Sequence, residues 1–256
     1  AFANNGNGGN GGHVRIYKNI NNTWTQVGSD IDGEASSDAS GYSISLSYDG
    51  SVVAIGARNN DGNGNNSGHV RIYRNINNTW SQIGSDIDGE AAFDQSGESV
   101  SLSADGSIVA IGAPFNNGNG SSSGHVRIFK NVNNNWIKVG GDIEGEASGD
   151  NSGWSVSLSS DGSIVAIGAF LNDGNGNNSG HVRVYQIDDD SPSFFCGIKE
   201  LNPGHNLLFN LNDWSSETFC WHNMSKAARK NINESQLRRD KYNLIKYLKS
   251  NYIVEE

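Results

Sequence analysis

Cysteines, long apolar runs and basic residues are all scarce in this sequence. Its only two cysteines, Cys196 and Cys220, leave room for one disulfide, which an oxidising compartment would favour, or for two buried thiols. No stretch reaches the roughly 18–20 consecutive apolar residues that a membrane-spanning helix needs, so we expect no membrane span. The sequence also lacks a recognisable Ser-His-Asp arrangement, a P-loop and a pair of catalytic carboxylates, and we therefore expect no enzyme activity.

Basic residues are outnumbered over most of the chain. The net charge is −10, and residues 1–190 hold 9 Lys and Arg against 21 Asp and Glu. An acidic surface repels phosphate backbones, so nucleic acid is excluded as a partner of this region. Turn formers, in contrast, are abundant: 33 glycines, with many asparagines and serines, account for an apolar fraction of only 35%. This composition is typical of a chain with many tight turns.

These turn formers belong to a unit that recurs every 56 residues. The tetrapeptide Gly-His-Val-Arg places its histidine at His13, His69, His125 and His181, and the spacing never slips by a residue. Self-similarity at a fixed period of this size is the mark of a repeat architecture. The repeat is therefore stronger evidence for the fold class than any single local motif.

Each full repeat predicts four short antiparallel strands. In the clearest copy they cover residues 98–103, 107–113, 124–130 and 135–139. Asp105-Gly106 joins the first two, and this dipeptide between apolar runs is a strong hairpin signal. The second strand is apolar without alternation, which predicts burial on both faces. We predict an all-β fold of antiparallel four-stranded β-propeller blades in an incomplete ring, with a small, mainly α-helical C-terminal segment.

The repeat pattern also sets the predicted domain boundaries. Residues 1–187 form a repeat domain of two partial and two complete blades, residues 188–193 a linker, and residues 194–256 a C-terminal segment. We predict a helix over about 234–250, opened by a capping box, and a weaker one near 225–231. Because the chain opens inside a repeat loop and closed propellers have about 4–8 blades, we expect further blades upstream or from a partner chain.

Two short motifs in the repeat carry a family resemblance. Ser96-Gly97 opens one blade, and Gly112-Ala113-Pro114 closes its second strand. At these positions the FG-GAP repeat of integrin-alpha-type propellers has Phe-Gly and Gly-Ala-Pro, and the sequence resembles that family over about residues 1–187. The resemblance implies a β-propeller and, in some blades, a calcium loop between the first two strands. Here the tight Asp-Gly hairpin stands in place of such a loop.

Carboxylates recur around a glycine in every repeat. This pattern suits a hard cation such as Ca²⁺, which takes about six to eight oxygen ligands, but also suits turns capped by Asx hydrogen bonds. Both interpretations stay open, and no other cofactor is expected. The candidate metal ligands are Asp30, Asp32, Glu34, Asp38, Asp86, Asp88, Glu90, Asp94, Asp142, Glu144, Glu146 and Asp150.

One histidine and one tryptophan also recur in each repeat. We interpret each histidine as a strand-start residue that is hydrogen-bonded across its own blade, since equivalent positions in successive blades keep the four apart. Trp24, Trp80 and Trp136 are interpreted as core or inter-blade packing rather than as sugar-stacking platforms. Trp154 lies outside this pattern and is predicted to be exposed.

The exposed loops offer sites for glycosylation if the chain is secreted by a eukaryote. The candidate sites are Asn21, Asn65, Asn77, Asn119, Asn177, Asn223 and Asn233. Together with the acidic repeats, they favour a non-catalytic, extracellular or cell-surface structural or adhesive protein. Its partner is expected to be another protein or a second copy of the chain. The alternative is a module that binds carbohydrate or another ligand, with or without Ca²⁺.

Overall fold

The computed structural model describes residues 1–5 and 9–187 in full and gives the backbone of two further strands, 205–210 and 215–220. Contacts divide the chain into two units, Ala1–Asp189 and Asp190–Glu256. Every regular element in the described residues is a β-strand, and the sheets are antiparallel. The predicted all-β, antiparallel class is confirmed. Within these residues, no helix is long and apolar enough to span a membrane.

The strands of the first unit follow the repeat, and we number the resulting groups blades 1 to 4. Blade 1 has two short pairs, β1 (His13–Val14) with β4 (Ile31–Asp32) and β2 (Tyr17–Ile20) with β3 (Thr23–Gln26). Blade 2 contains β5 (Ser43–Leu46), β6 (Val52–Ala57), β7 (His69–Ile76), β8 (Thr79–Gln82) and β9 (Ile87–Asp88). Blade 3 contains β10 (Ser99–Leu102), β11 (Ile108–Ala113), β12 (His125–Val132) and β13 (Asn135–Glu144). Blade 4 contains β14 (Ser155–Leu158), β15 (Ile164–Ala169) and β16 (His181–Gln186).

Strands pair in chain order within blades 2 to 4, as expected for hairpin-connected blades. The four strands predicted for blade 3 are present, although the fourth runs on to Glu144 and includes part of the acidic stretch. In blade 2 the same stretch separates β8 from β9, and both pair with β7. The carboxylates are thus tied to the third strand of their blade.

The hydrophobic core lies between neighbouring blades. One cluster joins the blade 2 residues Val52, Val70 and Ile72 to Val109 and Ile111 of blade 3. Every residue of β6 and β11 is buried, which confirms the predicted burial of the second strand on both faces. In β15, by contrast, buried residues alternate with more exposed ones. Each blade therefore depends on its neighbours to cover its apolar faces.

Hydrogen bonds between the first strands hold successive blades in register. The Ser43 hydroxyl donates to the Gly97 carbonyl oxygen over 2.7 Å, and the Leu102 amide donates to Ser45 Oγ over 2.9 Å. The contacts recur 56 residues later, from Ser99 to Gly153 and from Leu158 to Ser101. Short serines at these positions bring neighbouring backbones close together.

The recurring tryptophans link fourth strands across blades. Trp80 Nε1 donates to the Val27 carbonyl over 2.8 Å, and Trp136 Nε1 donates to the Ile83 carbonyl over 2.9 Å. Both rings pack beside the inter-blade clusters, as predicted. Trp24 of blade 1 is 69% exposed.

The Asp-Gly turns between first and second strands are stabilised by their own carboxylates. Asp49 Oδ1 accepts hydrogen bonds from the Ser51 amide at 2.9 Å, the Ser51 hydroxyl at 2.7 Å and the Ser47 hydroxyl at 2.8 Å. Asp161 accepts equivalent bonds from Ser159 and Ser163. These hydrogen bonds favour the ionised form and lower the pKa of both Asp49 and Asp161 to about 2.

Acid is therefore expected to weaken these turns. Because the folded-state pKa of both groups lies below the ordinary 3.8, their ionised carboxylates stabilise the fold above pH 3.8. This stabilisation is lost as the pH falls from 3.8 to about 2. We expect the urea midpoint of unfolding to drop over this range. The drop should be smaller in the double variant Asp49→Asn/Asp161→Asn, whose turns no longer titrate. An equally steep drop in that variant would assign the acid sensitivity to other groups.

The second unit contains one described hairpin, in which β17 (His205–Asn210) pairs with β18 (Ser215–Cys220). These two strands were not predicted, because the segment carries no repeat and its apolar residues were assigned to a mainly helical region. The helices predicted near 225–231 and 234–250 lie outside the described residues. So does Cys196, and only the backbone of Cys220 is described, so the predicted disulfide stays a prediction.

Candidate functional site

Carboxylates from two successive blades meet a histidine and an arginine at the boundary between them. Glu34 follows β4 of blade 1, whereas His69, Arg71 and Asp86 belong to blade 2. His69 Nδ1 lies 3.8 Å from Glu34 Oε2 and 3.8 Å from Asp86 Oδ2, and Arg71 Nη1 lies 3.4 Å from Glu34 Oε1. We name this set the blade 1–2 cluster.

The same arrangement recurs one repeat later. In the blade 2–3 cluster, His125 Nδ1 lies 3.9 Å from Glu90 Oε2, and Arg127 Nη1 lies 3.7 Å from Glu90 Oε1. Asp142 completes this cluster, as Asp86 completes the first. At the boundary of blades 3 and 4, His181 Nδ1 lies 3.5 Å from Glu146 Oε2. Each boundary within the described repeats thus carries the same pairing of histidine and glutamate.

Strand geometry explains why these residue types converge. His69 and Arg71 are two residues apart in β7, so both point to one face of the strand, while Val70 and Ile72 point into the core on the other. Antiparallel pairing sets His69 opposite Asp88 and brings the preceding acidic turn beside the histidine. Arg71 Nη2 donates to the Asp32 carbonyl oxygen over 2.7 Å and thereby anchors blade 2 on blade 1.

Burial controls the charge of the histidines. His69 and His125 are each 1% exposed. Burial, followed by the nearby Arg71 and Arg127 guanidinium groups, lowers the pKa of both imidazoles below the ordinary value of 6.5. Both are therefore neutral at neutral pH.

The ring nitrogens of these histidines are poorly satisfied. Nε2 of His69 and both ring nitrogens of His125 have no hydrogen-bond partner among the described residues. For His125, the interpretation of a side chain hydrogen-bonded across its own blade is therefore wrong. A buried nitrogen without a partner costs about 1–3 kcal/mol, so the position of each imidazole requires another reason.

The two full clusters differ at one neighbouring side chain. Gln82 Nε2 donates to Asp86 Oδ1 over 2.6 Å in the blade 1–2 cluster. At the equivalent position of the blade 2–3 cluster, Lys138 Nζ lies 2.5 Å from Asp142 Oδ1 and 3.6 Å from Glu90 Oε1. In the second cluster, Glu90 thus lies beside both Arg127 and Lys138, and Asp142 lies beside Lys138.

Blade 1 carries a related set made of His13, Asp30 and Asp32, whose potential ligand atoms all lie within 4.8 Å of one another. Here Arg15 forms an exposed ion pair of 2.7 Å with Asp30. Hydrogen bonds from Arg15 and then from Gln26 lower the pKa of Asp30 to about 2. Arg15 therefore forms an ion pair with an aspartate of this set. In this respect the set differs from the blade 1–2 cluster, in which the arginine lies beside Glu34.

The remaining candidate ligands lie in two other settings. Asp88 and Glu144 pair with the histidines across the ladder, and burial, with help from Asp142 and Glu90, raises the pKa of Glu144. A second group is buried and accepts hydrogen bonds from its own turn and from an asparagine of the following loop. This group comprises Asp38, Asp94 and Asp150.

The candidate glycosylation sites also differ in setting. Asn21 and Asn77 are exposed at hairpin turns with φ of 50° and 51°. The side-chain amide of Asn119 instead donates to the carbonyl oxygens of Gly145 and Glu146 over 2.9 and 3.0 Å. Asn65 and Asn177 are exposed, and Asn223 and Asn233 lie outside the described residues.

The carboxylates of these clusters were predicted from the sequence, but their association with histidine and arginine was not. Glu34 and His69 are 35 residues apart and belong to different blades, so no local motif contains both. The available signal was the constant offset between histidine and acidic stretch in every repeat. Without the packing of one blade on the next, this offset does not reveal proximity.

Comparison with known proteins supports the repeat assignment. Residues 144–185 match the FG-GAP repeat family, which confirms the predicted resemblance for this copy. No curated protein matches the sequence.

Similar solved structures include two putative 6-phosphogluconolactonases, from Bacteroides uniformis and Bacteroides fragilis, and a periplasmic gluconolactonase from Pseudomonas aeruginosa. Their sequence identities are 13%, 14% and 17%, and their TM-scores are 0.46, 0.44 and 0.43. The alignments cover 82%, 66% and 67% of this chain but only 48%, 41% and 45% of those proteins. The chain thus spans less than half the length of each, and similarity at this level transfers no activity.

Proposed function

We propose that this chain is a non-catalytic, extracellular structural or adhesive protein whose blades form a scaffold for protein–protein assembly. The FG-GAP match and the exposed sequon asparagines at hairpin turns support an extracellular role. The acidic repeats are consistent with a protein partner and not with nucleic acid. The observation that carries the proposal is the solvent exposure of apolar side chains on blade 4.

The outward face of blade 4 exposes residues that the preceding blade buries. Val182 and Val184 of β16 are 67% and 64% exposed. Their equivalents in blade 3, Val126 and Ile128, are 0% and 3% exposed because blade 4 covers them. Ile164 adds to the same surface at 44% exposure. We name these three residues the blade 4 face, which has the composition of an inter-blade core in contact with solvent.

Blade 1 also exposes side chains whose equivalents in blade 2 are packed. Tyr17 and Trp24 are 47% and 69% exposed, whereas Tyr73 and Trp80 pack against the cluster between blades 1 and 2. Aromatic side chains of this size contribute strongly to interfaces when they are buried. Blades 1 and 4 therefore both carry apolar surfaces that another protein surface would cover, and a second copy of the chain supplies both kinds.

Self-association tests this proposal directly. We expect the purified chain to sediment as a species larger than a monomer, and Val182→Lys/Val184→Lys to shift it towards monomer, because two charges would have to be buried at the contact. Tyr48→Lys is the matched control, since Tyr48 is 92% exposed in the turn between β5 and β6. A compact monomer of the unaltered chain at all concentrations would contradict the scaffold role.

A pair of aromatic side chains favours carbohydrate binding as the alternative. Trp154 and Phe170 are 38% and 45% exposed, and their ring centroids lie 4.6 Å apart. Exposed aromatic faces can stack on the apolar faces of sugars. Binding to a glycan array by a monomeric chain, lost in Trp154→Ala, would favour this alternative over assembly.

A further inference from the structure

We propose that the blade 2–3 cluster binds a divalent transition metal of the zinc class through His125 Nδ1, Glu90 Oε2 and a carboxylate oxygen of Asp142. Glu90 follows β9 of blade 2, whereas the other two ligands belong to β12 and β13 of blade 3, so the ion joins the two blades. This inference goes beyond the scaffold role proposed above. It also differs from the calcium site considered from sequence, because its ligand set contains an imidazole.

The buried histidine is the strongest indication of a ligand. The His125 side chain is 1% exposed, and neither Nδ1 nor Nε2 has a hydrogen-bond partner among the described residues. Nδ1 lies 3.9 Å from Glu90 Oε2, which is beyond hydrogen-bond distance, so the carboxylate is near this nitrogen without satisfying it. Buried polar atoms normally have a partner, and a metal ion between the imidazole and the carboxylates supplies one.

The spacing of the ligand atoms suits a small cation. One ligand atom from each of the three residues lies within 4.8 Å of the other two. Ligands about 2.1 Å from a tetrahedral zinc ion lie roughly 3.4 Å apart, so Glu90 Oε2 has to move by about 0.5 Å towards Nδ1. The side chains of Glu90 and Asp142 are 41% and 22% exposed, which allows this adjustment and gives an ion access from solvent.

The chemistry of the set selects the metal. An imidazole nitrogen with two carboxylates suits zinc and similar transition metals, whereas Ca²⁺ and Mg²⁺ prefer sites made of oxygen alone. Arg127 lies beside Oε1 of Glu90 and is held by a hydrogen bond to the Asp88 carbonyl oxygen, which leaves Oε2 towards the histidine. A neighbour of this kind orients a metal-binding carboxylate from outside the coordination sphere.

Lys138 competes with the ion for the two carboxylates. Its Nζ lies 2.5 Å from Asp142 Oδ1 and 3.6 Å from Glu90 Oε1. The lysine side chain is 33% exposed, and an ion pair near the surface contributes little to stability, so the flexible side chain can turn into solvent when a metal binds. Gln82 occupies the equivalent position of blade 2, so the repeat accepts a neutral side chain there. Lys138 therefore weakens metal binding without preventing it.

Titration of the untagged full chain with Zn²⁺ by calorimetry tests this assignment. We expect Glu90→Gln to lose one bound ion per chain, because an amide replaces a charged ligand. Lys138→Gln should keep this ion and bind it about 3–10-fold more tightly, as expected when a competing ion pair of modest strength is removed.

Glu146→Gln is the matched control. Glu146 lies beside His181 as Glu90 lies beside His125. One repeat after Asp142, however, the sequence has Ile198, so the third ligand is missing there. Zn²⁺ binding by Glu146→Gln should therefore equal that of the unaltered chain.

Stability provides a second readout. Because the ion joins blades 2 and 3 only in the folded chain, saturating Zn²⁺ should raise the urea midpoint of unfolding, and Glu90→Gln should lose this ion's share of the rise. Glu90 is exposed, so Glu90→Gln should fold, and its midpoint in metal-free buffer checks this. If it does not fold, Lys138→Gln decides the matter, since its binding must tighten.

Four results would overturn the proposal. They are failure of the unaltered chain to bind Zn²⁺, unchanged binding in a folded Glu90→Gln, an equal loss in Glu146→Gln, and binding by Lys138→Gln that is no tighter. Displacement of Zn²⁺ by Ca²⁺ at equal concentration would contradict the assignment to the zinc class.

Discussion

Gly112→Ala is expected to destabilise the repeat unit by about 3 kcal/mol or more. A Cβ atom at this position would overlap the backbone carbonyl oxygen of Gly153 in the next blade. That carbonyl also accepts the hydrogen bond from Ser99, so it cannot move without loosening the contact between blades 3 and 4. Urea unfolding followed by tryptophan fluorescence measures the loss.

Gly168→Ala is the matched control for this effect. Gly168 is the equivalent residue of blade 4, but a Cβ there would meet the Ser155 side chain instead of a neighbouring backbone. A hydroxyl can rotate away, so we expect a change within about 1 kcal/mol. Equal losses in the two variants would show that the close approach of blades at Gly112 is not what requires glycine.

Val126→Ala is expected to cost about 2 kcal/mol or more, because the side chain is 0% exposed between blades 3 and 4. Val182→Ala removes the same atoms at the equivalent position of blade 4, where the side chain is 67% exposed. Its effect on the free energy of unfolding should stay within about 0.5 kcal/mol in dilute protein. The same urea experiment compares the two.

The comparison of these two valines also bears on assembly. If self-association covers the blade 4 face, the effect of Val182→Ala should grow as the protein concentration rises, since burial then occurs only in the associated species. The effect of Val126→Ala should not depend on concentration. A cost for Val182→Ala as large as that for Val126→Ala in dilute protein would contradict the exposure of this face.

Local sequence patterns were sufficient to predict the strands of the repeats. The apolar second strands, the Asp-Gly turns and the alternation after each histidine are local patterns, and burial within a periodic array reinforces them in every copy. The hairpin formed by β17 and β18 was missed because its segment occurs once and lacks such reinforcement. Of the candidate site, the carboxylates were identified from the sequence, but the environment of the His125 side chain was not.

By itself, the sequence determined the 56-residue period, the four-strand pattern of a blade and the acidic character of the repeats. These features depend on residues that are near one another in the chain. Only the tertiary structure decided that Glu34 of one blade faces His69 of the next, and that Gln82 and Lys138 distinguish two otherwise similar clusters. It also decided which of two equivalent valines is buried, because burial of a blade face depends on the neighbour that covers it and not on the blade's own sequence.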